Sequence, residues 1–401
     1  MTRPAGPPEA AESEPDFSLV LGGPLFQLWR RAHLSGDALA LLRRRVVVSV
    51  LITWLPLLLI SWVQGKATKG SVAVPFLLDL EQHVRFLVAL PLLIIAELVV
   101  HQRMRPIIRL FRERNLVPQA ELPRFRAITE SAFGLRNSVA AEVILLAIVY
   151  GVGIQILWRN FIALNTDTWY AIPSVRGPVL SAAGIWYGYV SLPIFQFLLC
   201  RWYFRVFIWA LFLFRVSRLD LSLVPTHPDR LGGLGFLANT VYAFAPLAAA
   251  HGAMLAGPFA NRIFYLGAHV SQFRTEAVAL VALVLCMVFG PLLVFVPRLA
   301  ETRRRGLFEY GTFAERYTRA FAGKWLRSTA PDDEALLGSG DIQSLADLGN
   351  AFELVRTMRT IPITKEALLQ LAVVTFAPLL PLLLTAMPLE ELLKKLFGIL
   401  F

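Results

Sequence analysis

Apolar residues occur in seven long stretches of this chain, and polar or charged segments separate them. Each stretch approaches the roughly 20 residues that a helix needs to cross the hydrocarbon core of a bilayer. The sequence therefore predicts an all-α fold, a polytopic helical membrane protein with about seven transmembrane helices and amphipathic interfacial helices. The predicted spans are residues 46–63, 84–100, 139–157, 179–200, 234–257, 277–296 and 367–387.

Lys and Arg fall mainly on alternate connections between these spans. Of the 39 basic residues, 30 precede the first span or lie between the second and third, fourth and fifth, or sixth and seventh. Because cytoplasmic loops retain positive charge, this predicts a cytoplasmic N-terminus and an external C-terminus. Arg outnumbers Lys, and Ala, Leu and Gly are abundant, a bias typical of GC-rich bacterial genomes. We therefore expect a multi-pass protein of the bacterial inner membrane.

Residues 179–219 allow two interpretations. The region is long enough for two spans but has no turn signal, and a second crossing would place the basic residues of 298–366 outside. One crossing that continues as an interfacial helix is favoured, and an eight-span arrangement is the alternative. The favoured interpretation places Arg201, Arg205, Arg215 and Arg218 at headgroup level and Trp202, Tyr203 and Trp209 in the aromatic belt.

The remaining segments predict smaller units around the spans. Residues 1–16, rich in Pro, Ala and Glu, predict a disordered cytoplasmic tail, and 17–45 an interfacial segment. Spans one to six and their loops occupy residues 46–297. Residues 298–366 are predicted to form a cytoplasmic helical subdomain in which Asp341 caps a helix. The seventh span is followed by an amphipathic tail, 388–401. The aromatic and basic residues at 307–325 favour a membrane-surface helix or, alternatively, a partner-binding one.

Composition narrows the class of partner. Hydrophobic residues make up 56% of the chain and charged residues 17%, and the formal net charge is +11. Because the basic residues flank the spans, we expect contact with the lipid bilayer and its anionic headgroups, and no nucleic acid. A homo-oligomer or a protein partner is left open. Cys200 and Cys286 lie in apolar runs without a CxxC partner, so neither a disulfide nor a zinc site is indicated, and no motif identifies a cofactor.

The most distinctive motif is Thr226 to Leu237, THPDRLGGLGFL, just before the fifth span. Its polar turn leads into a helix start where backbone amides could receive an anion. The candidate ligand-binding residues in this motif are His227, Asp229, Arg230, Gly232 and Gly233. The simpler interpretation is an entry turn in which Asp229 satisfies local backbone donors.

A second constellation suggests metal chemistry. Glu97 and His101 lie four residues apart on one helix face, and Glu142 is expected at the same membrane depth. Carboxylates and imidazoles from separate helices are what a divalent-metal or di-iron site needs. The alternative is a set of hydrogen-bonded groups near the interface.

His251 is the histidine deepest within a predicted span. An ionisable residue at such a depth is a candidate for proton or ligand binding. The Ala and Gly residues around it favour close helix packing, which makes a hydrogen-bonded packing histidine the alternative.

Three stretches resemble a family of uncharacterised bacterial multi-pass inner-membrane proteins: THPDRLGGLGFL, GLFEYGTFAERYTRAFAGKW (Gly306 to Trp325) and LGSGDIQSLADLGNAFELVRTMR. The resemblance covers about the second half of the chain. It implies an integral inner-membrane location and transfers no catalytic residue.

Three classes of function follow from these features. The first is transport or membrane-associated ligand binding, with a cytoplasmic polar site around the THPDRLGGLGF loop. The second is a membrane-embedded enzyme that uses His227, Asp229, Glu97, His101 and Glu142, and a metal bound by Glu97, His101 and Glu142 would favour it. The third is a scaffold that recruits partners through residues 307–325.

Overall fold

The computed structural model describes residues 18–20, 22, 42–158, 167–172, 179–327 and 339–385. These residues are almost entirely helical, with one short two-stranded sheet. The predicted all-α class is therefore confirmed. The predicted tails at 1–16 and 388–401, and most of the segment 17–45, lie outside the described residues.

The α-helices of the described residues are numbered in chain order. Their bounds are α1 Leu42–Thr53, α2 Leu55–Val63, α3 Leu80–His83, α4 Leu90–Met104, α5 Ile107–Glu113, α6 Leu122–Arg136, α7 Val139–Ile148, α8 Ala182–Trp186, α9 Leu192–Val216, α10 Gly235–Ala238, α11 Ala245–Leu266, α12 Arg274–Phe289, α13 Val296–Phe321, α14 Gly340–Arg356, α15 Lys365–Phe376 and α16 Leu380–Leu383. Short π and 3₁₀ segments join many of these helices into longer stretches. The π segments are Val84–Ala89, Val149–Trp158, Tyr187–Ser191 and Ala322–Leu326, and the 3₁₀ segments are Phe76–Leu78, Gln119–Glu121, Asn239–Phe244, Val270–Phe273, Gly290–Phe295 and Ala377–Leu379.

Six helical stretches in the described part of the chain are long and apolar enough to cross a membrane. They are Leu42–Val63, Leu80–Glu113, Ala182–Val216, Gly235–Leu266, Val270–Leu326 and Lys365–Leu383. A pair of helices, Gln119–Arg136 and Val139–Gly153, bent by 46°, qualifies as a further span. We number the spans one to seven in chain order, with the bent pair third. The predicted number of about seven is confirmed.

Several spans extend well beyond their predicted bounds. The fourth span is one helical stretch of 35 residues, so residues 182–216 do not turn back as an eight-span arrangement requires. The sixth stretch has 57 residues and is about 85 Å long, far more than the hydrocarbon thickness. Helix α13 is therefore a continuation of the sixth span.

Proline marks the breaks within the spans. Pro91 and Pro193 lie in the first turn of α4 and α9, directly after π segments, and Pro246 lies at the start of α11 after a 3₁₀ segment. A proline lacks the backbone N–H and clashes with the preceding turn, so it is tolerated where a new helical segment starts. Each of these prolines therefore starts a new helical segment within a continuous span.

The fifth span lies at the centre of the bundle, against the second and seventh spans. Its sequence of small residues allows this close approach. A Cβ atom at Gly252 would lie 1.9 Å from the carbonyl oxygen of Thr375 in the seventh span, and one at Gly257 would lie 2.9 Å from the Cα of Glu81. Glycine at these two positions therefore sets the distance between three helices.

The two ends of the bundle carry different polar residues, and we call them the Glu97 end and the Asp79 end. At the Asp79 end, Ala171–Ile172 (β1) pairs antiparallel with Val179–Leu180 (β2). Trp169, just before β1, is fully buried and packs edge-on against Phe76, with ring centroids 5.0 Å apart.

Helices α13 and α14 form an antiparallel pair beyond the Glu97 end. Gly306 of α13 contacts Val355 of α14, and near the other end of the pair the Tyr317 hydroxyl donates to the carbonyl of Asp341. Asp341 is not the N-cap residue that we predicted from the sequence, because the Ser339 hydroxyl accepts from the Asp341 amide instead. The Asp341 carboxylate accepts from Lys324 and Trp325, and these hydrogen bonds lower the pKa of that carboxyl. Part of the aromatic and basic stretch 307–325 is therefore used within the chain.

Replacing Gly252 with alanine should destabilise the bundle. The added methyl group would overlap a backbone oxygen of the seventh span, so we expect a loss of about 1–3 kcal/mol in the free energy of unfolding. Thermal unfolding of the detergent-solubilised protein measures the change. Gly290→Ala is the matched control, because a Cβ there meets nothing within 4 Å and helical φ is retained. Equal stability of the two variants would contradict the close packing at Gly252.

Candidate functional site

Buried charged residues from four spans meet at the Glu97 end. Glu97 of the second span accepts a hydrogen bond from Arg45 of the first span and forms an ion pair, at 2.8 Å, with Arg205 of the fourth. One turn before Arg205, Arg201 pairs with Glu142 of the third span at 3.2 Å. We call Arg45, Glu97, Glu142, Arg201 and Arg205 the arginine–glutamate cluster.

The cluster is nearly inaccessible to solvent. Glu97 and Arg45 are 2% exposed, and Arg205 is 5% exposed. The Arg205 guanidinium carbon lies 4.9 Å from the centroid of the Trp202 ring, which adds a cation–π contact. Charges buried this deeply are tolerated only when they are paired, so the cluster requires the four spans to lie together.

These positions correct our prediction for the fourth span. Arg201 and Arg205 do not face lipid headgroups, because their side chains are buried in the helix interfaces, where they pair with the carboxylates of Glu142 and Glu97. Trp202 and Trp209 are each 1% exposed, so they belong to the core and not to an aromatic belt. Arg215 reaches the Ser131 hydroxyl at the surface.

The predicted metal ligands do not assemble into a metal site. Glu97 and Glu142 bind arginines, and Nδ1 of His101 lies 3.0 Å from the Ser18 hydroxyl. The described residues contain no group of three or more His, Cys, Asp or Glu side chains arranged to hold a metal ion. The sequence correctly placed the three side chains near one end of the bundle, but their partners there are guanidinium and hydroxyl groups.

The THPDRLGGLGFL loop folds around the side chain of Asp229. Its carboxylate accepts backbone N–H bonds from Leu231 at 2.8 Å, Gly233 at 3.1 Å and Gly235 at 2.8 Å. Partial burial would raise the pKa of Asp229, but these donors and the neighbouring His227 outweigh burial, and the pKa lies below its ordinary value. The anion that the loop amides receive is therefore the chain's own carboxylate.

Glycine is required at several positions for this arrangement. Gly232 has a φ of +64° and Gly233 a φ of +100°, which residues with a side chain rarely adopt. Gly235 has no such backbone constraint, but a Cβ there would lie 2.8 Å from an Asp229 carboxylate oxygen. The glycines thus permit the tight turn and the close approach of the backbone to the carboxylate.

The loop also connects three distant segments of the chain. The Arg359 amide, just beyond α14, donates to the carbonyl of Arg230 at 2.8 Å. Arg114, after the second span, donates to the carbonyl of Gly233 at 3.2 Å. Gly235 itself begins the fifth span. The loop therefore holds the Glu97 end of the bundle to the α13–α14 pair.

Among the predicted binding residues of the loop, the side chains of His227 and Arg230 reach solvent most. The His227 side chain is 33% exposed, with Nδ1 2.9 Å from Asp229 Oδ1, and Arg230 is exposed with a φ of +55°. Gly232 and Gly233 are buried. Of the five predicted binding residues in this motif, three therefore shape the turn.

A polar cleft of about 610 Å³ lies beside this loop. It is lined by Arg109 and Arg112 of α5, Asn115 and Gln119 after α5, and Ser222 after the fourth span, among others. The adjacent Leu116 contacts Gly233 and accepts the Ser222 amide through its carbonyl, which joins one wall of the cleft to the loop. Two guanidinium groups beside amide and hydroxyl groups are suited to an anion.

His251 is a packed histidine in the fifth span. It is 4% exposed, Nδ1 lies 2.8 Å from the Leu247 carbonyl oxygen, and Nε2 lies 2.9 Å from the Tyr203 hydroxyl. This geometry assigns the proton to Nδ1, since a carbonyl only accepts, and Nε2 then accepts from tyrosine. Both ring nitrogens are used within the chain.

A polar network at the Asp79 end did not emerge from the sequence. Asp79 is 3% exposed and accepts from the indole of Trp169 and the amide of Asn261, both at 2.8 Å. Nearby, Arg85 donates to Glu81 and to the Tyr187 hydroxyl. An Asp followed three residues later by Gln is a helix-start signal that could have indicated Asp79, but its partners are 90 and 182 residues away.

The chain matches no protein-family model, no curated protein sequence and no solved structure. The family resemblance of the three sequence stretches therefore stays a prediction.

Replacing Glu97 with glutamine should destabilise the protein strongly. The substitution leaves Arg45 and Arg205 buried without their common counter-charge, a change that typically costs about 3–5 kcal/mol. Chemical unfolding in detergent, followed by tryptophan fluorescence, measures the loss.

Glu315→Gln is the matched control for Glu97→Gln. Glu315 pairs with Arg319 on the exposed surface of α13, where an ion pair contributes about 0–1 kcal/mol. A loss at Glu97 no larger than the loss at Glu315 would contradict the importance of the cluster.

Replacing Asp229 with asparagine should lower stability at neutral pH and change its dependence on pH. Because the folded pKa of Asp229 is depressed, the carboxylate contributes stability above the unfolded pKa of about 3.9, and that contribution is lost as pH falls through the folded value. We expect a loss of about 1–3 kcal/mol at pH 7 in D229N and a shallower decline in acid.

Unfolding curves between pH 3 and pH 7 test this prediction. Asp220→Asn is the matched control, because the Asp220 side chain is 88% exposed. Its ion pair with Arg298 is long, at 3.9 Å. Parallel stability curves for wild type and D229N would show that the carboxylate does not hold the loop.

Proposed function

We propose that this protein binds a phosphate-bearing ligand at its cytoplasmic face, in a transport or related membrane-associated role. The site is the cleft beside the THPDRLGGLGF loop, and the loop supports one wall of it through the contact of Gly233 with Leu116. The bound group would be an anion, because arginine side chains dominate the charged lining. The proposal includes the bacterial inner membrane as the location and a cytoplasmic N-terminus.

The observation that carries the proposal is the basic lining of a cleft of ligand size. A volume of about 610 Å³ lies in the range of small-molecule sites, about 300–1,000 Å³. Arg109 and Arg112 are three residues apart and therefore neighbours on the surface of α5. Arg109 pairs with Glu113 at 3.3 Å, but its side chain is 70% exposed, so a stronger anion can compete for it.

Charge distribution supports a cytoplasmic position for the cleft. The cleft follows the end of the second span beyond Glu97, in the connection that carries eight Lys and Arg residues between the predicted second and third spans. The arginine–glutamate cluster and the basic helix α13 belong to the same end of the bundle. This concentration of positive charge favours the cytoplasmic side.

The hydrogen bonds of Asp229 assign it a structural role in the loop and not a role in ligand binding. Its carboxylate is occupied by three backbone donors, so it stabilises the wall and does not act on a ligand. Arg109, Arg112, Gln119 and Ser222 line the cleft, and theirs are the side chains that we assign to the ligand.

Phosphate-dependent thermal stabilisation of the full chain tests the proposal. We use inorganic pyrophosphate and glycerol 3-phosphate as soluble probes, and phosphatidylglycerol in mixed micelles as a lipid probe. A ligand that binds only the folded state raises the unfolding temperature with concentration. We expect the double variant Arg109→Gln, Arg112→Gln to weaken apparent affinity at least tenfold, since each charge-assisted hydrogen bond contributes about 1.5–3 kcal/mol.

The control is Arg304→Gln, Arg305→Gln on the exposed surface of α13, which removes the same charge away from the cleft. A response to soluble probes identifies a small ligand, and a response to phosphatidylglycerol alone identifies a lipid headgroup. No stabilisation by any probe, or equal stabilisation of the cleft and control variants, would overturn the proposal.

A further inference from the structure

We propose that a groove at the Asp79 end holds one acyl chain of an anionic phospholipid, with the lipid phosphate between Arg262 and Arg274. The groove lies between the fifth, sixth and seventh spans, on the opposite end of the bundle from the cleft. It is therefore independent of the proposed cytoplasmic site.

The groove has the size and the surface of an acyl-chain site. Its volume is about 640 Å³, and its lining is apolar apart from Ser271 and Arg274. Phe259 and Phe273 of the lining form a stacked pair, with ring centroids 4.2 Å apart, and Phe376 and Leu382 of the last span also line the groove. In a membrane-spanning region this surface excludes water and favours hydrocarbon.

Two arginines mark the end of the groove that approaches the bundle end. Arg274 lines the groove at the first residue of α12, and Arg262 lies over the Phe273 ring, with its guanidinium carbon 5.9 Å from the ring centroid. Both side chains belong to exposed residues. Within the described part of the chain, neither forms an ion pair with a carboxylate. The groove is therefore apolar along its length and has at one end two arginines that form no ion pair within the described part of the chain.

Charge complementarity identifies the lipid as anionic. Only nine of the 39 Lys and Arg residues fall on the side of the chain opposite to the basic connections, and two of the nine are Arg262 and Arg274. Arginine recognises phosphate through paired N–H donors. A phospholipid satisfies both parts of the groove at once, the phosphate at the rim and the acyl chain along Phe259 and Phe273.

Native mass spectrometry of the full chain tests this proposal, with phosphatidylglycerol and phosphatidylcholine added in turn to the delipidated protein. We expect wild type to bind phosphatidylglycerol at least tenfold more tightly, because each basic residue near the surface contributes about fivefold. The double variant Arg262→Gln, Arg274→Gln should bring the two lipids close to equal affinity. The matched control, Lys66→Gln with Lys69→Gln at the same end, should retain the preference.

A second pair of variants tests the apolar part of the groove without disturbing the core. Ala282→Phe fills the groove from an exposed position, and we expect it to weaken binding of both lipids several-fold. Ala279→Phe adds the same ring to an exposed position of α12 outside the groove lining and should change nothing.

Any of the following results would overturn the proposal. One is equal affinity of wild type for the two lipids, and another is unchanged lipid binding in Ala282→Phe. The third is stronger lipid binding after removal of residues 386–401, or a dimer that dissociates on lipid addition, since the occupant would then be protein and not lipid.

Discussion

The carboxylate of Glu97, held between the guanidinium groups of Arg45 and Arg205, is the interaction on which the arrangement of the spans depends. A carboxylate or guanidinium removed from water costs several kcal/mol unless a partner with good geometry is present. Arg45 lies at the start of the first span and Arg205 late in the fourth, so the three side chains meet only if those spans run in opposite directions. The ion pairs thus fix orientation, rotation and depth together.

The Asp79 end applies the same constraint to other helices. The Asp79 carboxylate accepts from Trp169, before the short sheet, and from Asn261 of the fifth span. The middle of the bundle is apolar and close-packed, and apolar surfaces in lipid do not by themselves select one register. We infer that the two polar ends specify how the helices align, while small residues such as Gly252 determine how closely they approach.

Some features of the structure could be predicted from the sequence and others could not. The difference lies in how far apart along the chain the interacting residues are. The spans follow from apolar length, a local property that the bilayer imposes. The turn around Asp229 was also accessible, since its donors lie within six residues of the carboxylate. The partners of Glu97 were not, because Arg45 is 52 residues away and the sequence alone does not pair residues across spans. For the same reason we expected Arg201 and Arg205 to face the headgroups and not to be buried between helices.

This difference in sequence separation also explains why the site that we propose lies beside the most distinctive motif and not within it. Asp229, Gly232 and Gly233 form a recognisable sequence pattern, because a tight turn around a carboxylate requires particular residue types at fixed spacing. A site for a phosphate-bearing ligand makes no such local demand, since Arg109 and Gln119 reach the cleft from either side of a helix end and Ser222 comes from another loop. The loop contributes indirectly, because Leu116 packs on Gly233 and Arg359 bonds to Arg230, which holds the cleft wall and the α13–α14 pair in one unit. A ligand that orders the cleft would therefore stabilise the contacts of the loop as well, and a change in the loop would alter ligand affinity without touching the ligand.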